Sequence, residues 1–213
     1  MEGAGESMFG RSKGDRKEIW KQLRKRGLRE NPHLPARTEP IVKSSERVKD
    51  RMLVTYIVAT VSYGVPAEKG AELVEGLQLG HELQEEERDL LAGGEEHVDQ
   101  LNYFVESTFA FAWALKLLDN LDFFEQAPQD MAEHLPNLDV AEMQDWKRTV
   151  SLRSEAEIRQ KVDEAYCSHW AIRDALLHGR GDIIAFEGNC LYRRWALEWL
   201  VQTEEWNDVD LGT

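Results

Sequence analysis

Apolar residues recur along most of this chain at spacings of three and four, the period of an amphipathic helix. Residues 15–26 place Ile19, Trp20 and Leu23 on one side among basic residues and stop at Gly27, which predicts a short helix. Before it, residues 1–14 are Gly-rich and poor in apolar side chains, and are expected to be disordered. After it, Pro32, Pro35 and Pro40 mark an extended linker. A long helix is predicted over 45–63, capped by Ser44 or Ser45 and ended by Gly64. Its second half, 52–61, is apolar nearly all round and should be central and buried. Val54, Thr55, Ile57, Val58, Thr60 and Val61 make a strand the competitor; length and a charged lead-in favour helix.

Pro66 suits the start of a helix over 67–77, and a further short one covers 84–91 before Gly93-Gly94. Residues 98–121 predict a second central helix, with Tyr103, Phe104, Phe109, Phe111, Trp113 and Leu117 leaving almost no polar face. Residues 124–138 read as loop with at most one helical turn. Asp139 opens a short helix to 148, and Ser154-x-x-Glu157 is a capping box opening a long helix to His178, ended by Gly179. The last helix covers 189–202. The fold class is therefore all-α: a basic N-terminal helix and linker over 15–40, then one compact helical domain over 41–213 with two buried central helices.

The formal charge of −14 changes this picture because it is unevenly spread. Residues 11–51 carry 14 Lys and Arg against 6 Asp and Glu, whereas residues 52–213 carry 12 against 32. A body this acidic repels phosphate backbones, so nucleic acid is not expected to bind the main domain. The basic stretch is either a nucleic-acid arm or a helix that leans on the acidic body. Cys167 and Cys190 lack CxxC spacing and read as reduced thiols. With no apolar leader and no apolar run near the length of a membrane span, a cytoplasmic location is expected.

Candidate chemistry gathers towards the C-terminus. The stripe Ile158, Val162, Ala165, His169, Ile172, Leu176 puts His169 in a core position, either as a satisfied core histidine or as a general base oriented by Glu106, Asp174 or Asp208. Asp174 can also pair with His178 one turn on. Glu106 shares a stripe with Phe109, Trp113 and Leu117 and points inward; it either pairs with a buried arginine such as Arg51 or Arg193 or acts as a perturbed acid. Arg193 and Arg194, flanked by Tyr192 and Trp195, can clamp an anion or stack on tryptophan. Arg51, Tyr166, Trp170 and Trp206 complete the candidate ligand-binding set. No metal is expected, since His81-Glu82-Leu83-Gln84-Glu85 lacks the second histidine of a zinc-protease helix; nor is a cofactor, since no phosphate-binding loop or dinucleotide fingerprint occurs.

The run Tyr166-x-x-His169-Trp170-x-x-x-Asp174-Ala175-x-Leu177-x-Gly179, then Arg193-x-x-Ala196-Leu197-x-Trp199-Leu200 and Trp206-x-Asp208-Val209, resembles a widespread, mostly bacterial family catalogued as domain of unknown function 4272. Gly27, Leu34-Pro35, Arg51, Glu86-Glu87 and Glu106 before Trp113-Ala114-Leu115 extend the resemblance over about residues 17–213. It implies a mostly helical single domain and no particular reaction. It also draws attention to Arg51, Glu106, His169, Asp174, Arg193, Trp206 and Asp208. Departures from the family pattern fall at Phe104, in place of an arginine, at Glu198, often asparagine, and at Gly212, in place of aspartate.

The function expected first is an interaction or regulatory module whose acidic body captures a basic protein partner, as a toxin-neutralising protein would. The alternative is an enzyme or small-ligand binder, with a polar site between the 154–178 and 189–202 helices that brings together His169, Arg193, Glu106 and Asp208.

Overall fold

The computed structural model describes residues 7–212, and every regular element among them is helical. In chain order these are α1 (Ser7–Lys25), α2 (Ser45–Ser62), α3 (Ala67–Gly76), α4 (Glu85–Leu91), α5 (Val98–Leu101), α6 (Phe104–Ala114), α7 (Val140–Thr149), α8 (Glu155–Leu177) and α9 (Glu187–Val201). Short 3-10 turns occupy Met131–His134, Gly181–Phe186 and Trp206–Asp208. Packing follows a series: α1 lies on α8, α8 on α9, α9 on α6, α6 on α2, and α2 on the α3–α4 pair.

α2 resolves the competition between helix and strand. Ser44 accepts a hydrogen bond from the Arg47 backbone N–H at 3.2 Å and starts the helix. Val48, Met52, Leu53, Val54, Ile57 and Val58 are all fully buried. A helix apolar on all sides needs neighbours on all sides, and α6, α3, α4 and α5 supply them. Close approach on one flank depends on Gly70, where an added Cβ would stand 2.6 Å from Val61 Cγ2 and 2.7 Å from Leu91 Cδ2.

The second central helix is shorter than the sequence predicts. In place of one helix over 98–121, α5 ends at Leu101 and α6 runs only from Phe104 to Ala114. Lys116 takes a left-handed conformation with φ of 63°, and the Leu117 N–H donates back to Ala112 at 2.9 Å. Arg153 completes this stop. Its Nε donates to Trp113 O at 2.8 Å, Nη2 donates to Leu118 O at 2.9 Å, and its guanidinium lies 4.8 Å from the Trp113 ring. The apolar pattern after Ala114 continues because Leu115, Leu118, Leu121 and Phe123 are buried as irregular chain, not as helix.

α1 begins at Ser7, earlier than the expected start at Asp15, so residues 7–14, expected to be disordered, form its first turns; residues 1–6 lie outside the described residues. Once one turn is anchored, each further residue gains one hydrogen bond for the single residue it fixes, where nucleation must fix three. Ile19, Trp20 and Leu23 provide that anchor, with Trp20 edge-on to Trp170 at 6.1 Å. Arg16 fastens the proline linker beside it, donating to Leu34 O at 2.7 Å and Pro35 O at 2.8 Å. The capping box of α8 forms as its sequence dictates: the Glu157 N–H donates to Ser154 Oγ at 3.3 Å and the Ser154 N–H donates to Glu157 at 3.0 Å. No helix among the described residues is long and apolar enough to cross a membrane.

Candidate functional site

α9 decides where the candidate residues go. It is wedged between α6 and α8, and Arg193 and Arg194 are successive residues about 100° apart on its surface. Arg193 therefore faces α6 and Arg194 faces α8. The four residues expected in one polar site are distributed accordingly: Arg193 and Glu106 share one place, His169 lies beside Arg194 in another, and Asp208 is exposed.

On the α6 side, Arg193 Nε donates to Glu106 Oε2 at 2.6 Å, with Nη2 at 2.5 Å from the same oxygen. Arg193 Nη1 donates to the Asp122 carbonyl, and the guanidinium lies 4.8 Å from the Phe109 ring. Burial pushes the Glu106 carboxyl up from its ordinary value, against the pull of the Arg193 charge. Glu106 is thus the inward-pointing acid of the α6 stripe, and a buried arginine is its partner.

On the α8 side, Arg194 Nη1 is 2.7 Å from His169 Nδ1, and Arg194 Nε donates to Glu198 Oε1 at 3.2 Å. A guanidinium has no lone pair to offer, so Nδ1 is the acceptor and His169 is neutral. Burial, and then the Arg194 charge, lower the His169 pKa to about 4. Its Nε2 is buried with no partner among the described residues. A general base is normally oriented by a carboxylate that stabilises the imidazolium; here a cation occupies that place and opposes protonation. Glu198, fully buried, also accepts from Arg37 Nη2 at 2.6 Å. Arg37 in turn donates its backbone N–H to Asp163 at 2.9 Å, and Arg16 lies 3.2 Å from the same carboxylate. Tyr166 forms the floor of this nest, 4.7 Å from the Arg194 guanidinium and 5.5 Å from Arg37. Cys167 lies 3.4 Å from Arg16, and burial pushes its thiol up to about 12.

A third nest surrounds Arg51. The Arg51 guanidinium pairs with Glu87, donates to Glu82 O at 2.8 Å and lies 4.6 Å from the Trp206 ring. The Glu87 carboxylate also caps α4 by accepting from the Gln84 N–H at 2.8 Å. Trp206 packs on Phe104, Phe111, Trp195 and Trp199 and fixes the C-terminal tail to the core. Phe104 packs edge-on against Trp206 in this aromatic nest.

Three candidates stand apart from all these nests. Asp208 is exposed in the 3-10 turn after α9. Asp174 is half-buried on α8, with Oδ1 3.4 Å from Arg29 and 3.6 Å from His178. Trp170 is half-buried under α1.

Sequence reading missed Glu87, Arg37, Asp163 and Arg16 as partners. Only Arg194-x-x-x-Glu198 carried a local signal, an oppositely charged pair one helical turn apart. Among the described residues no group of three or more His, Cys, Asp or Glu is placed to hold a metal ion. Among the described residues, two open clefts lie elsewhere: a polar one of ≈ 460 Å³ beside Lys49, Gly76 and Lys147, and a mainly apolar one of ≈ 630 Å³ between α3 and α4.

Comparison with family models matches residues 15–209 to the domain of unknown function 4272 family. No curated protein and no solved structure matches the chain.

Proposed function

The chain belongs to the domain of unknown function 4272 family, a membership that carries no reaction with it, and we propose that it acts as an interaction module whose acidic face captures a basic protein partner. One observation carries this reading. Residues 67–99 hold 11 carboxylates against Lys69 and Arg88, and they sit at the opposite end of the packing series from basic α1. Two of the 11, Glu82 and Glu87, are buried and paired with Arg47 and Arg51. Most of the rest, including Glu68, Glu72, Glu75, Glu85 and Asp89, are exposed. The body's own cations do not reach them, because Arg193, Arg194, Arg37 and Arg16 are committed to the inner nests and α1 leans on α8. A concentrated negative field of this kind raises the encounter rate with cationic surfaces and rejects acidic ones.

The alternative, a ligand site between α8 and α9, has less support. Its polar groups are one another's partners, and the guanidinium beside His169 disfavours a proton-transfer role.

The test is native mass spectrometry on the protein purified at low salt from its own source, beside a variant carrying Glu72→Lys, Glu75→Lys, Glu85→Lys and Asp89→Lys. A stoichiometric basic protein that accompanies the parent and not the variant is the expected result. A parent that carries no protein partner, or a variant that keeps it, would overturn the proposal.

A further inference from the structure

The acidic face is not uniform, and it has an apolar interruption. Between α3 and α4 runs the open groove of ≈ 630 Å³, with Ala71 and Val74 on one wall and Leu83 and Leu91 on the other. Glu75 lines it directly, and Glu68 stands two helical turns earlier on the same edge of α3. On the far wall, Arg88 is turned back onto Gly80 O at 3.3 Å, and Glu85 precedes it by one turn. An apolar floor flanked by carboxylates is the complement of a helix with an apolar stripe and lysine or arginine at its edges.

The chain itself shows that this body accepts such a helix. α1 buries Ile19, Trp20 and Leu23 against α8 while Lys17, Lys21, Arg24 and Lys25 stay exposed, and Arg16 reaches Asp163. The α3–α4 groove offers the same pairing of apolar seat and carboxylate rim, with no element of the described chain seated in it. A backbone feature sits at its end. Gln78 lines the groove with φ of 59°, a left-handed conformation that costs a non-glycine residue roughly 1 kcal/mol. It closes α3, with the Leu79 N–H donating to Val74 O at 2.9 Å. Glycine would fit this turn more cheaply, whereas glutamine puts an amide at the mouth of the groove.

We infer that the α3–α4 groove is the docking site for a basic amphipathic helix of the partner, seated by its apolar stripe and held at its edges by Glu68, Glu75 and Glu85. This rests on the proposed interaction function and gives it a location. A helix of 14 residues spans about 21 Å, enough to cover two to three turns of α3 and the adjoining α4 wall.

The experiment titrates the full chain into a fluorescent 14-residue peptide with leucine at helical spacings of three and four and lysine elsewhere. Binding is read by fluorescence anisotropy at two salt concentrations and located by hydrogen exchange. The expected result is one-to-one binding that weakens with salt and protects residues 67–92. Ala71→Arg, at a half-buried mid-helix site, should weaken it at least tenfold. Glu68→Lys with Glu75→Lys should weaken it similarly and flatten the salt dependence. The distant pair Glu125→Lys with Glu133→Lys should change it less than twofold. Each variant's helicity is checked by circular dichroism; should Ala71→Arg unfold, the Glu68 and Glu75 reversals decide, since both side chains are exposed. Binding that is indifferent to the groove variants, or equally sensitive to the distant pair, overturns the groove and leaves the acidic-face reading standing. Failure of the parent to bind the peptide at all overturns both.

Discussion

Arg194 Nη1 stands 2.7 Å from His169 Nδ1 inside the core, a cation set against a histidine that burial, and then the arginine's charge, keep unprotonated. The free imidazole titrates near 6.5 and the folded one near 4. Between those values the unfolded chain binds the extra proton. The contribution of His169 to stability is therefore fully present above about pH 6.5 and is lost as pH falls towards 4. The separation corresponds to about 3 kcal/mol. Burial pushes Glu106, Glu198 and Asp163 up, and this acts in the opposite sense as pH falls, so the total slope mixes several groups. His169→Gln, which can still accept from Arg194, isolates the histidine: urea unfolding between pH 4 and 7 should show a flatter slope in the variant. Equal slopes in parent and variant would sink the idea.

Arg193 and Glu106 form a buried pair whose members depend on each other. Arg193→Leu leaves a carboxylate without its partner and should cost about 3–5 kcal/mol. Glu106→Leu leaves the guanidinium its bond to the Asp122 carbonyl and its contact with Phe109, and should cost less. The double variant should recover much of the Arg193→Leu loss. Chemical denaturation of the four proteins measures the coupling, and additive effects would show that the pair does not act as a unit.

Arg153 closes α6 from a distant part of the chain. Arg153→Ala removes two donors from the Trp113 and Leu118 carbonyls together with the stacking on Trp113. A loss of about 2 kcal/mol is expected, a fall in melting temperature of roughly 4–8 °C. Calorimetry checks it. Arg153→Lys should not restore the loss, because an ammonium cannot match the planar fork at both carbonyls.

Gln78→Gly removes the left-handed penalty at the end of α3 and should stabilise the fold by about 0.5–1 kcal/mol, measured by denaturant midpoint. In the peptide titration the same variant loses only an amide at the groove mouth. A gain in stability together with weaker peptide binding would show that the backbone cost at Gln78 is retained for docking; a loss of stability would contradict the strain argument.

Cys167 and Cys190 have no exposed surface, and burial pushes both thiols up to about 12. Neither should react with a thiol reagent in the native protein between pH 7 and 9, and both should react at a rate set by unfolding. Rapid labelling of one cysteine under native conditions would reveal a local opening near α8 or α9.

What the sequence determined by itself is what depends on neighbours along the chain. The all-helical class, the Ser154 capping box, the buried character of α2 and the inward direction of Glu106 and His169 all follow from spacings of three and four, and the family membership follows from the match of residues 15–209 to the family model. Tertiary structure alone decided the rest. α6 ends at Ala114 because Arg153 meets its last carbonyls, and nothing in residues 98–121 announces that arginine. Arg51 finds Glu87, and Arg37 finds Glu198, across separations that leave no local trace. Arg193 and Arg194, adjacent in sequence, serve different helices because α9 is wedged between two partners and one residue turns it by about 100°. The α3–α4 groove is likewise made by how two short helices lean together on α2, at the distance that Gly70 permits.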